Sequence, residues 1–392
     1  MAPPALPLFV RAMGQKRWVA RLEDIRGGCL PGHAGRALRT HHALELTLDR
    51  LWRMGAPAIT RAERALSDLA ADFVDLLADL PPEGRERLGV KIAAALSGTG
   101  TLVALFHVLR CARLHRQRGF EVEFSGLAEG TSYDLTLTRF GRVSEAVCET
   151  FSAEDGRDVH RTAWSYLVDR IDPDLQSWLA SHPGRYVLKM TLPGGLKGQE
   201  PGGSSATLAA LHARITRLLS ESRRADHDEA AVLRLEPLLL AGAQASEMGL
   251  MAGLRAEFGH EAHLAVTSAG RGVLVMAARA AREDEVAEAM QRRMVAVAPA
   301  RLSGTRPAVL AMFIEDTDAL EWRVLRDQLQ LEGAARHFLT RPEARCVAAV
   351  TCASRFELLG GEPPQAADGG ELRFCSPSHK EPAGAALAAL AE

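Results

Sequence analysis

The chain has 392 residues, of which 47% are apolar and only 5% aromatic, and its formal net charge is −2. That length implies two or three compact units, and that composition implies cores packed from Ala, Leu and Val, which argues against an all-β fold. Charge near balance, with a pI near 6.7, excludes a global electrostatic footprint for nucleic acid or an anionic membrane, so binding of either kind must be local.

Residues 1–40 are rich in Pro, Gly and Arg without a clear period, and read as an irregular N-terminal arm. Residues 41–100 read as helical. Leu44, Leu48, Leu51 and Trp52 line one face, Leu66, Leu69, Phe73, Leu76 and Leu77 line a second helix that Pro81 and Pro82 stop, and Leu88, Ile92 and Leu96 mark a third. A fourth helix carries Leu102, Leu105, Val108 and Leu109, together with the basic run Arg110, Arg113, His115, Arg116 and Arg118. Gly119 ends it in the manner of a C-cap.

From Phe120 the period changes to two. Val122 and Phe124 alternate with Glu121 and Glu123; Tyr133, Leu135 and Leu137 alternate with Asp134, Thr136 and Thr138; Gly141 then turns the chain into a third strand from Val143 to about Phe151. Ser152 and Asp155 form a capping-box-like start for a helix through Trp164, Leu167, Val168 and Ile171, with a kink or restart at Pro173. A strand over 185–192 is read as returning to the same sheet, which gives an α-β-β-β-α-β core over residues 101–192.

Residues 193–205 are rich in glycine and read as a flexible loop, without the Gly-x4-Gly-Lys-Ser/Thr string of a phosphate cradle. Residues 206–360 read as an α/β region that extends the same sheet, with a strand over 306–314 apolar enough to be buried on both faces and another over 346–352. Residues 361–392 are a C-terminal tail. The fold class is therefore α/β of the α+β kind: a central mixed sheet flanked by helices, with a helical N-terminal region.

The order α-β-β-β-α-β, with Asp134 opening the second strand and Glu145 and Glu149 four residues apart on one face of the third, resembles the PD-(D/E)xK nuclease-like superfamily. The resemblance implies a restriction-endonuclease-like sheet and a Mg²⁺ ion held by Asp134 and Glu149, with Glu145 as the other candidate for the second acid. Two-residue spacing along a strand puts ligands on one face, and hard cations take carboxylate oxygens. The family's lysine is missing from its place: Val147 and Phe151 stand two residues beyond the two glutamates. Lys189 is the candidate for a displaced catalytic cation. Arg157, His160 and Arg161 at the next helix start, with Arg113 and Arg116 on the helix before the sheet, are candidates for nucleic-acid contacts.

Three functions follow. The favoured one is a nuclease-like protein without catalytic activity, acting as a nucleic-acid-binding or assembly module, in which the acids splay apart or are tied up by arginine. The alternatives are an active Mg²⁺-dependent nuclease or phosphodiesterase with a migrated basic residue, and a purely structural protein-interaction protein. Mg²⁺ is expected only if the site is active; the partners are nucleic acid or protein. The six cysteines form no CxxC pair and no Cys/His cluster of zinc spacing, and Cys148 reads as a small core residue. Reduced thiols, no basic leader and no run of ~18 apolar residues suggest a cytoplasmic protein outside the membrane.

Overall fold

The computed structural model describes residues 5–55, 60–197, 206–238, 247–259, 261–359 and 371–376. The chain divides into two units. The first comprises residues 1–28, 39–155 and 287–392, and the second comprises residues 29–38 and 156–286.

The N-terminal stretch is helical, with α1 at Ala5–Ala12, α2 at Gln15–Gly28 and α3 at His33–His41. The expected irregular arm is corrected here. Leu6, Phe9 and Val10 recur at helical spacing on α1, as do Trp18, Leu22 and Ile25 on α2, and all are buried. Short length and abundant Arg and Gly dilute that period in the sequence. Helices α4 (Ala43–Met54), α5 (Arg61–Asp79), α6 (Pro82–Ala95) and α7 (Val103–Gln117) follow. Phe9 packs edge-to-face on Trp18, Phe73 and Phe106, at centroid distances of 5.9, 5.2 and 5.9 Å, which ties α1 to α2, α5 and α7. A capping box starts α5: Thr60 Oγ1 accepts from the Glu63 amide at 3.2 Å, and the Glu63 carboxylate accepts from the Thr60 amide at 2.8 Å. Gly119 (φ +81°) ends α7, and the Phe120 amide beyond it donates to the His115 carbonyl at 3.0 Å.

After α7 come β1 (Glu121–Glu123), the single turn α8 (Ser125–Ala128), β2 (Leu135–Arg139) and β3 (Arg142–Ser152). Phe140 and Gly141 connect β2 to β3 with φ of +51° and +70°, the mirror-image turn that matches strand twist, and they fix the register Arg139↔Arg142. The capping box expected at 152–155 is replaced by a 3-10 turn, Ala153–Gly156, in which the Ser152 hydroxyl accepts from the Glu154 amide at 3.1 Å while donating to Asp316 at 2.6 Å.

The second unit contains α9 (Arg161–Ser181), β4 (Arg185–Leu192), α10 (Ala206–Ser220), β5 (Ala225–His227), β6 (Val232–Pro237), α11 (Glu247–Phe258), β7 (His263–Ala269) and β8 (Gly272–Ala280). Helix α9 runs through Pro173. The sheet order is β5-β6-β4-β8-β7, with β4 parallel to β8. The strand at 185–192 therefore does not return to the first sheet. Leu188, Met190 and Leu192 alternate onto one face with α9 and α10, while Val187 joins Leu254 and Val275 on the other, so the strand is satisfied by partners that lie later in the chain. Asp169 of α9 accepts from the His33 and Ala34 amides at 2.6 and 2.8 Å, which caps the start of α3. A Cβ on Gly32 (φ +126°) would meet that carboxylate at 2.7 Å. Residues 198–205 of the expected flexible loop lie outside the described residues, as does most of the tail from 361.

The chain then completes the first sheet with α12 (Val286–Arg301), β9 (Ala308–Glu315), α13 (Ala319–Asp327), α14 (Gln330–Leu339), β10 (Val347–Ser354), α15 (Arg355–Leu359) and β11 (Leu372–Cys375). The order is β1-β2-β3-β9-β10-β11, parallel across β3, β9 and β10 and antiparallel elsewhere. Seven of the eight residues of β9 and all of β10 are buried, as central parallel strands covered on both faces must be. Helix α7 packs on β3 and β9, and α14 on β10 and β11. Both sheets are mixed, so the chain is of α+β type. Among the described residues no helix is long and apolar enough to cross a membrane.

Candidate functional site

The acids of the meander converge, and arginine binds them. Asp134 immediately precedes β2; its amide donates to the Ala146 carbonyl at 3.0 Å and its Oδ2 accepts from the Cys148 amide at 2.8 Å. Glu149 lies further along β3. Arg301, the last residue of α12, spans the two acids: Nη2 donates to Asp134 Oδ2 at 2.8 Å and Nη1 to Glu149 Oε2 at 3.0 Å. The fork is locked from behind, since Arg301 Nε donates to the Ser132 carbonyl at 2.9 Å and the Ser132 hydroxyl donates to the Arg301 carbonyl at 2.7 Å. Arg293, two turns earlier, donates from Nε to Glu149 Oε1 at 2.8 Å, and Lys91 Nζ stands 3.6 Å from Asp134 Oδ1.

Every oxygen of the acid pair therefore faces a cation. Both acids are buried, with 6% and 8% of their surface exposed, so the ion pairs are weakly screened. Burial opposes the charge on Arg301, but the two carboxylates outweigh it and raise its pKa. A guanidinium satisfies such a pair as a fixed planar fork. It occupies the place between Asp134 and Glu149 where a divalent ion shared by the two acids would sit.

The remaining residues singled out in the sequence are dispersed. Glu145 is buried and serves the chain after α12, accepting from the Ser303 amide at 3.0 Å and the Ser303 hydroxyl at 2.6 Å. Lys189 belongs to the second unit, where its ammonium donates to Glu236 and Glu257 at 2.9 and 2.6 Å. Arg157, His160 and Arg161 belong to that unit too. Arg157 is buried, 3.8 Å from Asp284, and His160 is the N-cap residue of α9. In the first unit Arg113 is paired with Asp72 and Asp68 at 2.7 and 3.1 Å, while Arg116 is exposed with its guanidinium 5.4 Å from the Phe124 ring. The five candidate nucleic-acid residues thus divide between the two units.

A cavity of about 620 Å³ in the first unit is lined by Lys91, Asp134, Glu149 and Arg301, and also by a second polar group: His41, Thr101, Ser152, Glu315 and Asp316. The second group sits where the parallel strands β3 and β9 end, the usual place for a site in such sheets. Asp316 adopts a left-handed conformation (φ +59°). Its carboxylate accepts the Ser152 hydroxyl at 2.6 Å and meets His41 Nδ1 at 3.2 Å, while His41 Nε2 meets the Thr99 carbonyl at 3.2 Å.

The electrostatics of this group differ from those of the acid pair. Burial pushes the Glu315 carboxyl up to about 7, helped by the adjacent Asp316 charge. Burial acts the same way on Asp316, but the hydrogen bonds from His41 and Ser152 prevail and hold its carboxyl below the ordinary range. Burial likewise works against the charge on His41, and Asp316 overcomes it and raises its pKa. The group contains one carboxyl able to carry a proton near neutrality beside one that stays ionised, the arrangement acid–base chemistry uses.

The sequence reading missed Lys91, Arg293, Arg301 and this second group. Arg301 lies 167 residues from Asp134, and no local pattern marks it. A signal was present for Glu315 and Asp316, two adjacent acids closing an otherwise apolar strand. No family model, no curated protein and no solved structure matches the chain.

Proposed function

We propose that the first unit is a nuclease-like module whose acid pair, Asp134 and Glu149, holds no divalent metal, acting by binding nucleic acid or by assembly and not by cleavage. The observation that carries this reading is Arg301, which holds Asp134 and Glu149 at 2.8 and 3.0 Å. Magnesium would have to displace that guanidinium and compete with Arg293 and Lys91 for the same oxygens. The order of elements supports the topological half of the reading. Helix α7 and β1, β2 and β3 are followed, after residues 156–286, by α12 and by β9 parallel to β3. That is again α-β-β-β-α-β, with 308–315 in place of 185–192 as its last strand and the second unit inserted before its second helix.

The test measures binding of labelled single- and double-stranded DNA and RNA by anisotropy in EDTA and in Mg²⁺ or Mn²⁺, with cleavage followed on gels. Binding that persists in EDTA without cleavage in either metal is expected. Neither binding nor cleavage would favour the assembly role. Metal-dependent cleavage lost in a folded Asp134→Ala variant would overturn the reading.

One observation favours the active alternative: Lys91, at the cavity wall 3.6 Å from Asp134 Oδ1, stands near the acids as a lysine migrated from the strand would. In that case Lys91→Met would abolish cleavage and leave binding intact.

A further inference from the structure

We propose that His107, Cys111 and Cys148 form a site for one zinc-class divalent cation, with its fourth coordination position open to the cavity beside Asp134. The inference is independent of any activity of the acid pair.

The three residues come together from two elements. His107 and Cys111 are four apart on α7 and so share a face. That face meets β3, which carries Cys148. One ligand atom from each residue lies within 4.8 Å of the others. Cys111 Sγ is 3.6 Å from His107 Nδ1. With Zn–S of about 2.3 Å and Zn–N of about 2.0–2.1 Å, two ligands on one tetrahedral ion stand about 3.6 Å apart. The His107–Cys111 spacing is already that of two ligands on one ion. The zinc spacing not found among the cysteines lies here in a His and a Cys one helical turn apart.

The imidazole has the tautomer of a ligand. His107 Nε2 is 3.0 Å from the Ala311 carbonyl of β9. A carbonyl can only accept, so Nε2 carries the hydrogen and Nδ1 keeps its lone pair for an ion. The Cys111 sulfur stands 3.6 Å from Nδ1 and 3.9 Å from Nε2, so metal binding turns the thiol or the ring to bring that lone pair onto the ion. Metal-bound histidines commonly donate their other ring N–H to such an oxygen.

Burial sets the class of ion. His107, Cys111 and Cys148 have 1%, 3% and 8% of their surface exposed, and two sulfurs with one nitrogen select soft or borderline cations and disfavour Mg²⁺. Cys148 also lines the cavity, which supplies a route of entry and a place for a water as fourth ligand. Three protein ligands with one open position is the pattern of a zinc centre that presents water to a substrate. The Cys148 amide donates to Asp134, so this centre and the acid pair share a residue but no ligand atom. Both thiols must lose their protons on binding, so affinity falls as the pH falls.

The test uses the full chain, reduced, stripped with chelator and titrated without oxygen, first with Co²⁺ and then with Zn²⁺. One equivalent of Co²⁺ with sulfur-to-cobalt charge-transfer and tetrahedral d–d bands, displaced by one equivalent of Zn²⁺, is expected. Cys111→Ser and Cys148→Ser, checked for folding by circular dichroism, should bind at least about 100-fold more weakly, and Cys346→Ser should match the wild type. The inference is overturned if the reduced wild-type chain gives no charge-transfer band, a result that does not depend on how any variant folds. Charge transfer that persists in a Cys111→Ser/Cys148→Ser double variant overturns it as well, by placing the metal elsewhere.

Discussion

Two carboxylate pairs line the same cavity, and their surroundings give them opposite characters. Asp134 and Glu149 are met by Arg301, Arg293 and Lys91. Glu315 and Asp316 are met by His41 and hydroxyls, with Thr101 Oγ1 3.4 Å from Glu315, and both also feel the charge of Arg355. The first pair has permanent cations and is a closed electrostatic unit. The second has a titratable partner in His41, and burial with the adjacent Asp316 charge keeps a proton on Glu315 near pH 7. Carboxylates alone did not distinguish the two places. The cations that the fold brings from distant positions did.

The largest effect should come from opening the closed pair. Arg301→Ala leaves two buried acids with reduced compensation and should cost about 3–5 kcal/mol in urea unfolding. Adding Asp134→Asn should recover part of that loss, a coupling that a double-mutant cycle reads directly. If the single variant costs nothing, the pair is not the closed unit described.

The second pair should respond to pH. Native Glu315 keeps its proton to about pH 7, against 4.5 for the ordinary carboxyl. The stability contributed by its protonated form is therefore full below about pH 4.5 and lost as pH rises through about 7. Glu315→Gln should flatten that decline and stabilise the protein at pH 8 by on the order of 1–2 kcal/mol. Asp316→Asn removes the charge and one of the two oxygens that accept from His41 and Ser152, at a cost of roughly 2 kcal/mol. It should also let the Glu315 carboxyl fall toward its ordinary value, observable by carbon-13 NMR of the carboxyl. An unchanged Glu315 titration would mean that the neighbouring charge has no part in it.

The smallest effect is expected at Lys189, whose partly exposed ion pairs with Glu236 and Glu257 should be worth under about 1 kcal/mol. Lys189→Met should leave metal and nucleic-acid binding of the first unit unchanged. Loss of either would restore this lysine to the site.

What the sequence made legible follows the range of the interactions. The β2–β3 hairpin, the Gly119 cap and the apolar strands at 308–315 and 347–354 are encoded by neighbours in the chain, and they were readable from period and turn residues. The sheet that β4 joins was not, because its parallel partner β8 lies some eighty residues later and alternation does not name a partner. The acids were found because an alternating strand displays its faces. Arg301 was not, because an arginine near the end of a helix is ordinary until the fold places it between Asp134 and Glu149. His107 and Cys111 are legible as a pair four apart on one helix, but the third ligand, Cys148, comes from β3 and no spacing along the sequence marks it.

The central claim is that Arg301 stands where a metal would otherwise sit, and calorimetry with Mg²⁺ and Mn²⁺ on the wild type and on Arg301→Ala tests it most directly. The account predicts no binding at the acid pair in the wild type and the appearance of a site in Arg301→Ala that is lost again when Asp134→Asn is added. Wild-type binding of Mg²⁺ that Asp134→Asn removes would contradict it, since the acids would then be free to take the ion with the arginine in place.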